Sequence, residues 1–161
     1  MSEIRARTQA LVPAPPAMVY DLIADYQRSH PEMLPPRYFR NLKVEEGGVG
    51  AGTRITFEMT SFGTVRRFEM RITEPDPGRV LVETDVVSGV ATSFRVDPAP
   101  GGQGSLVTIS TRYRKSGVAG WVESWLAPRF LRTVFDAQLR LLAEQATRLR
   151  PGRRSSVEER D

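Results

Sequence analysis

The sequence of 161 residues contains no cysteine, a single histidine and no long hydrophobic segment. The absence of cysteine excludes disulfides, thiolate nucleophiles and cysteine metal sites. His30 alone cannot supply the two histidines of a non-haem iron site, and we expect neither a metal nor a cofactor. No apolar run approaches the roughly 20 residues that cross a bilayer, and the N-terminus lacks the apolar stretch of a signal peptide. We therefore expect a cytoplasmic protein without stable membrane insertion.

Lysine is also scarce, since only Lys43 and Lys115 occur among the 23 basic residues. The formal net charge of +4 would by itself be compatible with binding to nucleic acid. However, arginines such as Arg5 and Arg7 alternate with apolar residues, which predicts that they lie on the exposed face of strands. The sequence lacks the basic stripe with interleaved aromatic residues that single-strand binding requires. We expect no nucleic-acid partner.

The first forty residues predict one strand and two short helices. Residues 3–12 alternate apolar and polar side chains, as a strand does. Pro15 and Pro16 suit the first turn of a helix. Apolar residues then recur at helical spacing, at Met18, Val19, Leu22, Ile23 and Tyr26. Residues 29–36 predict a second short helical turn that ends at the proline pair.

From residue 38 to residue 115 the apolar residues recur with a period of two, and turns rich in glycine and proline separate six runs. This pattern predicts six strands joined as an antiparallel meander. The glycine run GGVGAG lies between two of these strands. A phosphate-binding loop would need a helix directly after the glycines, so we interpret the run as a hairpin turn.

The helical period returns from residue 118 to residue 149 and predicts a long C-terminal helix with a wide apolar face. Pro128 lies inside this stretch and predicts a kink, or a break near Leu126. Residues 150–161 are rich in arginine and poor in hydrophobic residues, which predicts a disordered tail. Residues 1–149 are then a single domain in which the helix covers the apolar face of the sheet. The gap between such a sheet and its helix is a usual ligand site.

The order of these elements resembles the START/SRPBCC superfamily, the helix-grip fold of birch-pollen-allergen-like proteins, lipid-transfer domains and polyketide cyclases. The resemblance covers about residues 3–149 and is carried by LVPAPPAMVYDLIADYQRSHPEMLP, by EPDPGRVLVETD and by GSLVTISTRYRKSGVAGWVESWLAPRFLRTVFDAQLRLLAE. It implies an α+β fold in which a seven-stranded curved antiparallel sheet wraps around a long C-terminal helix, with two short helices after the first strand. The fold does not decide the function, because the superfamily includes carriers, receptors and enzymes.

The predicted ligand-binding residues lie on the inner face of the sheet, on the C-terminal helix and in the segment around His30. Strand alternation and helical spacing select most of them. They are Tyr26, His30, Met33, Leu34, Tyr38, Phe57, Met59, Phe68, Met70, Thr92, Phe94, Thr111, Tyr113, Leu126, Phe130 and Val134. Two methionines on adjacent strands suit an adaptable apolar pocket, while threonine and tyrosine hydroxyls there would orient a polar ligand atom.

His30 has three interpretations: a general base, a solvated or locally hydrogen-bonded loop residue, and a ligand contact at the pocket mouth. No catalytic partner set accompanies it in the sequence. We therefore favour a position at the rim of the pocket, with Tyr26, Met33, Leu34 and Tyr38 as an apolar gate around it.

Glu83 and Asp85 alternate with the more apolar positions of their strand, which predicts that both carboxylates face solvent. In the inverted register Leu81 and Glu83 would point inward, and Glu83 would become a candidate acid. Arg66 shares the parity of inward-facing residues, so it either emerges at the end of the sheet or reaches into the pocket.

We favour a protein that binds a hydrophobic or polycyclic small molecule, lipid-like or aromatic, between sheet and helix. The alternative is a cofactor-independent enzyme of the polyketide cyclase/dehydratase kind. Its catalytic residues are unknown, and the candidates that would assist enolisation or loss of water are His30, Arg66 and Tyr113. A chaperone-partner interaction module is a third hypothesis. The sequence leaves both a monomer and a homodimer open.

Overall fold

The computed structural model describes residues 3–114 and 127–149, which form seven strands, two α-helices and one 3₁₀ helix. In chain order they are β1 (Glu3–Val12), α1 (Pro16–Ala24), the 3₁₀ helix (His30–Met33), β2 (Phe39–Glu46), β3 (Arg54–Ser61), β4 (Thr64–Asp76), β5 (Val80–Asp85), β6 (Ala91–Pro98), β7 (Ser105–Arg114) and α2 (Pro128–Leu149). The strands form one antiparallel sheet in the order β1-β7-β6-β5-β4-β3-β2. The predicted α+β helix-grip fold is confirmed.

The inner face of the sheet carries the core, because alternate residues of each central strand are buried there. On β3 these are Ile55, Phe57 and Met59, which lie beside Met70 and Phe68 of β4 in register. Helix α2 packs its own apolar stripe against this face, with Leu131, Val134, Phe135, Leu139, Leu142 and Ala146 buried. The side chains of the sheet and of the helix thus form one apolar core between them. The period of two in the strands and the helical period of the C-terminal segment predict this arrangement.

Helix α2 begins at Pro128, where the sequence predicted a kink or a break. Ala127 precedes it outside the helix, and proline is well suited to a first helical position because the N–H that it lacks would be unpaired there. Leu126 and the tail at residues 150–161 lie outside the described residues. Neither of the two α-helices in the described part of the chain is both long and apolar enough to span a membrane.

The glycine run between β2 and β3 ties this hairpin to the end of α1. The Tyr26 N–H donates to the Gly48 carbonyl at 2.8 Å, and the Gly50 N–H donates to the Ala24 carbonyl at 2.9 Å. Gly48 has a φ of 154°, a backbone conformation that residues with a Cβ rarely adopt, and this favours glycine at the position. The run is a hairpin turn, as predicted, and it fixes the chain that leads into the 3₁₀ helix.

Strand β5 faces the opposite way from the sequence prediction. Leu81, Glu83 and Asp85 are buried on the inner face, whereas Val80 and Val82 are only half-buried. The register is set by both neighbours, since Glu83 pairs with Ile72 of β4 and with Thr92 of β6. The prediction that the two carboxylates face solvent is therefore wrong, and the inverted register is the correct one.

Candidate functional site

A narrow cavity, which we call the slot, lies between the inner face of the sheet and α2. Its apolar lining consists of Leu34, Phe39, Leu42, Ile55, Phe57, Met59, Phe68, Met70, Val90, Phe94, Leu131 and Phe135, and its polar lining of His30, Glu83, Asp85, Ser88, Thr92, Thr111 and Gln138. The slot has a cavity volume of about 60 Å³, and the empty space between the lining atoms is about 710 Å³ when the part that opens to solvent is included.

The size of the slot limits what fits without rearrangement. A cavity of about 150 Å³ holds one benzene ring, so the slot must widen to accept a ring-sized molecule. Met59 and Met70 line it from adjacent strands, and unbranched methionine side chains change rotamer easily. Rotamer changes of these two side chains would widen the slot.

His30 is held inside the wall of the slot by the segment that follows α1. Its backbone N–H donates to the Asp25 carbonyl at 2.8 Å, and its ring stacks on Tyr26 with centroids 4.1 Å apart. From α2, the Gln145 amide donates to the Ser29 carbonyl at 3.0 Å and thereby fixes the start of the 3₁₀ helix. The side chain of His30 is 2% exposed, so the prediction of a rim position is wrong.

The imidazole of His30 is neutral and its tautomer is defined by its partner. Nδ1 lies 2.7 Å from the carbonyl oxygen of Ile23, and because a carbonyl only accepts, Nδ1 carries the hydrogen. Burial lowers the pKa of His30 to about 4, although the bond to Ile23 opposes this shift. Nε2 consequently presents a lone pair to Glu83, whose Oε1 lies 3.5 Å away.

Glu83 is the buried acid of the slot. The Tyr26 hydroxyl donates to Oε1 at 2.6 Å. Burial raises the pKa of Glu83 to about 7, and the hydrogen bond from Tyr26 opposes this shift only partly. Burial, and next the negative charge of Glu83, raise the pKa of Tyr26 well above its usual value, so the phenol stays protonated. A carboxyl group with a pKa near neutrality is able both to donate and to accept a proton at physiological pH.

Asp85, two residues along the same strand, is engaged by its own hairpin. Its Oδ2 accepts the Ser88 hydroxyl at 2.6 Å and the Ser88 N–H at 3.3 Å, while Oδ1 accepts the Val87 N–H at 3.4 Å. The Arg66 guanidinium lies 4.0 Å from Oδ2 and over the ring of Phe68. Burial lowers the pKa of Arg66, and the negative charge of Asp85 opposes this shift. Asp85 thus shapes the β5–β6 turn beside the slot.

The structure brings many of the predicted ligand-binding residues to the slot and places others elsewhere. Its walls include His30, Leu34, Phe57, Met59, Phe68, Met70, Thr92, Phe94 and Thr111. Tyr26, Met33 and Val134 are buried but do not line it, and Tyr38 and Phe130 pack on each other at a separate surface depression. Tyr113 is half-buried on β7, and neither it nor Arg66 is among the lining residues. Leu126 lies outside the described residues.

The sequence placed Glu83 in the wall only in the alternative register of β5, and it gave no prediction of Asp85 or Gln138 there. The Gln138 side chain is buried on α2 and faces the slot among apolar neighbours. A signal for it was available, since Gln138 falls one turn before Leu142 on the apolar stripe of the helix. For the two acids the available signal was the buried Leu81, whose parity they share.

The donor set of the site does not resemble a metal centre. In residues 3–114 and 127–149 no three carboxylate or imidazole groups converge at metal-binding distance. Thr92 and Thr111 bond to each other through their hydroxyls at 2.8 Å across β6 and β7. The arrangement offers several hydrogen-bonding groups and the carboxyl group of Glu83, whose pKa lies near 7, in a mostly apolar wall.

Solved structures with the same fold include three that span almost the whole chain. The KanY protein, determined by NMR, is 30% identical, with 91% of this chain and 99% of that chain covered and a TM-score of 0.78. TTHA0849 from Thermus thermophilus is 18% identical over 91% of this chain and 99% of its own, with a TM-score of 0.72. Major latex-like protein 151 from Panax ginseng is 15% identical, with 89% and 97% covered and a TM-score of 0.66. The last two likenesses show the fold alone.

Comparison with curated proteins gives no significant match. The family profile described as polyketide cyclase / dehydrase and lipid transport matches residues 3–147, which span the sheet, the 3₁₀ helix and nearly all of α2. Together with the helix-grip architecture, this match places the protein in the SRPBCC superfamily. The chain belongs to the polyketide cyclase / dehydrase and lipid transport family.

Proposed function

We propose that the slot binds a small hydrophobic molecule that contains at least one ring. The observation that carries this proposal is the lining itself, in which twelve apolar side chains surround a few polar groups between sheet and helix. Ligand sites are typically concave and mostly apolar, with a small number of polar groups that fix orientation. Membership in a family of cyclases and lipid-transport proteins supports ligand binding in general terms.

Flat aromatic walls favour a ring over a flexible chain. The rings of Phe57 and Phe68 lie parallel on neighbouring strands, with centroids 5.6 Å apart, and Phe39 adds a tilted ring at 5.5 Å from Phe57. Offset stacking and edge-to-face contacts add to the area that a ligand ring would bury. Met59 and Met70 supply the adaptable part of the wall.

The proposal is tested with N-phenyl-1-naphthylamine, a neutral dye whose fluorescence rises in apolar surroundings. We expect wild-type protein to bind the dye and Val90→Phe to bind it at least about tenfold more weakly, because the larger side chain fills a slot that is already narrow. Val90 is 6% exposed and lines the slot. The matched control is Val87→Phe in the same turn, where the side chain is 75% exposed.

Unchanged dye affinity in Val90→Phe, with circular dichroism showing that the variant is folded, would contradict binding in the slot. Failure of the wild-type protein to bind the dye at all would contradict the proposed function. Val87→Phe should bind as the wild type does, because its ring projects into solvent.

The second candidate function is proton transfer on a bound carbonyl compound, as a cyclase or dehydratase would need. It is favoured by one observation, the buried Glu83 beside neutral His30 and Tyr26. As a carboxylate, Glu83 would take a proton from the carbon next to a carbonyl. The C–H electron pair would form the enolate, and return of the proton would complete the exchange. Of the three catalytic candidates from the sequence, only His30 lines the slot.

This candidate is tested with 2-tetralone, a two-ring ketone, in deuterated water. Exchange of its acidic C–H hydrogens, followed by proton NMR, should be faster with wild-type protein than in buffer and should lose a factor of about 10² or more in Glu83→Gln. Glu58→Gln, on the outer face of β3, is the control because it makes the same change of charge away from the slot. Equal exchange in wild-type protein and Glu83→Gln would remove Glu83 from this role.

A further inference from the structure

We propose that the Glu83 end of the slot recognises a ligand group that donates a hydrogen bond or carries positive charge. The slot would therefore favour a hydrophobic amine or alcohol over a carboxylic acid of the same shape. This inference rests on the proposed function, since it requires a ligand in the slot, and it names the chemical class of that ligand.

The two carboxyl oxygens of Glu83 differ in their partners. Oε1 accepts the Tyr26 hydroxyl, whereas in the described part of the chain no residue hydrogen bonds to Oε2. The side chain is 10% exposed, and it lies on the face of β5 that lines the slot. A carboxylate oxygen that is accessible and has no protein partner takes its hydrogen bond from water or from a bound ligand. A donor on the ligand would supply the one that Oε2 lacks.

His30 adds a second hydrogen-bond acceptor next to Glu83. Its Nδ1 hydrogen is used by the Ile23 carbonyl, and Nε2 faces Glu83 with a lone pair. Both groups at this end of the slot therefore accept hydrogen bonds when Glu83 is ionised. A ligand amine or hydroxyl matches two acceptors, whereas a ligand carboxylate offers only further acceptors.

The charge of the slot lining is negative. The charged residues of the lining are Glu83 and Asp85, and no arginine or lysine is among the described lining residues. The guanidinium of Arg66 is placed against Asp85, on the side of the β5–β6 turn. A ligand carboxylate would thus enter a wall with two acids, and in surroundings of low polarity like charges repel strongly. An ammonium group would meet a carboxylate instead.

Titratable and charged groups from several elements surround Glu83. The segment after α1 contributes Tyr26 and His30, β5 contributes Asp85, β4 contributes Arg66 behind Asp85, and α2 contributes the neutral Gln138. The pKa of His30 is lowered to about 4 and that of Tyr26 is raised, so neither changes charge between weakly acidic and weakly alkaline pH. Glu83, with its pKa near 7, does change charge in this range.

The experiment measures displacement of N-phenyl-1-naphthylamine by three probes with one ring system: 2-naphthylmethylamine, 2-naphthalenemethanol and 2-naphthoate. At about pH 8 and about 150 mM salt, we expect the amine to bind about tenfold more tightly than the carboxylate, with the alcohol between them. The net charge of +4 would on its own favour the carboxylate, so the expected order opposes non-specific attraction.

Two changes should abolish the preference. In Glu83→Gln the amine and the carboxylate should bind within about twofold of each other, whereas Glu58→Gln should keep the wild-type ratio. In the wild-type protein the ratio should also fall at about pH 5.5, where Glu83 is protonated while an exposed carboxylic acid and a primary amine both stay charged. The pH measurement needs no substitution and therefore stands even if Glu83→Gln does not fold.

The outcomes separate the inference from the proposed function. If the dye binds and the carboxylate competes as well as the amine, or if none of the three probes displaces the dye, the inference is overturned while the proposed function stands. A preference for the amine that persists both in Glu83→Gln and at low pH also overturns it. If the dye does not bind to the wild-type protein, the proposed function fails and the inference fails with it.

Discussion

At the scale of single residues, burial acts in opposite directions on two neighbours in the wall of the slot. Burial keeps His30 neutral because it penalises the imidazolium, and it raises the proton affinity of Glu83 because it penalises the carboxylate. The folded protein therefore holds a proton on Glu83 at pH values where an exposed glutamate has lost it. It lacks a proton on His30 at pH values where an exposed histidine has gained one.

The two shifts predict opposite pH profiles of stability in two variants. The pKa of Glu83 is about 7 when folded against 4.5 ordinarily, so its contribution to stability is present below pH 4.5 and lost as the pH rises through 7. The pKa of His30 is about 4 against 6.5 ordinarily, so its contribution is present above pH 6.5 and lost as the pH falls through 4. Each contribution to the free energy of unfolding amounts to about 3 kcal/mol.

Relative to wild type, Glu83→Gln should therefore gain about 3 kcal/mol in free energy of unfolding as the pH rises from 4.5 to 7. His30→Asn should lose a similar amount, about 3 kcal/mol, as the pH rises from 4 to 6.5. Urea denaturation followed by circular dichroism at a series of pH values measures both. In wild type the contributions of these two groups oppose each other between pH 4.5 and pH 6.5. Profiles of both variants that run parallel to that of wild type would refute the opposed shifts.

Glu83 also shows why residue-level prediction failed at this site. In VLVETD the positions of Val80 and Val82 are the more hydrophobic ones, and alternation alone assigns them to the core. The structure inverts this because Tyr26, a residue 57 positions away, provides a hydrogen bond for the buried carboxyl. A partner so distant in sequence is not visible in local periodicity. Buried charge is thus the feature that local patterns miss, and here it marks the candidate site.

At the scale of elements, the strands and helices followed from local chemistry. On β3, β4, β6 and β7 the residues predicted to face inward are buried or half-buried on the inner face, and turns rich in proline and glycine separate the strands as hairpins. The second predicted helical turn is a 3₁₀ helix, which begins at His30 and ends before the proline pair. These features depend on residues that lie within a few positions of each other in the sequence. They were therefore predictable.

One turn predicts a measurable difference between two glycines. Gly104 and Gly102 both have positive φ, at 86° and 76°. A Cβ on Gly104 would lie 2.7 Å from the Val12 carbonyl oxygen, while a Cβ on Gly102 meets nothing within 4 Å. Gly102→Ala should lower the free energy of unfolding by about 1 kcal/mol through backbone strain alone. Gly104→Ala should lower it by more than about 2 kcal/mol, because the new methyl group must also displace the end of β1.

Urea denaturation of both glycine variants measures the difference, and the shared turn makes Gly102→Ala the control for strain. The Val12 carbonyl accepts the Ala14 N–H at 2.9 Å, and the Ser105 hydroxyl donates to the Ala14 carbonyl at 2.6 Å. The contact therefore lies where β1, β7 and the start of α1 meet. Equal losses in the two variants would show that β1 moves aside at no cost.

At the scale of the whole molecule, the fold was predictable and the width of the slot was not. The fold follows from the order of elements, because an antiparallel sheet with one apolar face must be covered and α2 is long enough to cover it. The width depends on how side chains from β3, β4 and α2 interdigitate, for example Phe57, Phe68 and Phe135. Such packing joins residues far apart in the chain, and a single change of rotamer alters it.

The single histidine of the sequence has a practical consequence for spectroscopy. Because the chain holds one histidine, every imidazole resonance in a nitrogen-15 NMR spectrum has one possible source, and its assignment needs no variant. The hydrogen on Nδ1 and the lone pair on Nε2 give the two ring nitrogens distinct chemical shifts. His30 lies beside Glu83 and edge-on to Phe94. In protein labelled with nitrogen-15, the chemical shifts of its two ring nitrogens therefore report on changes in the slot.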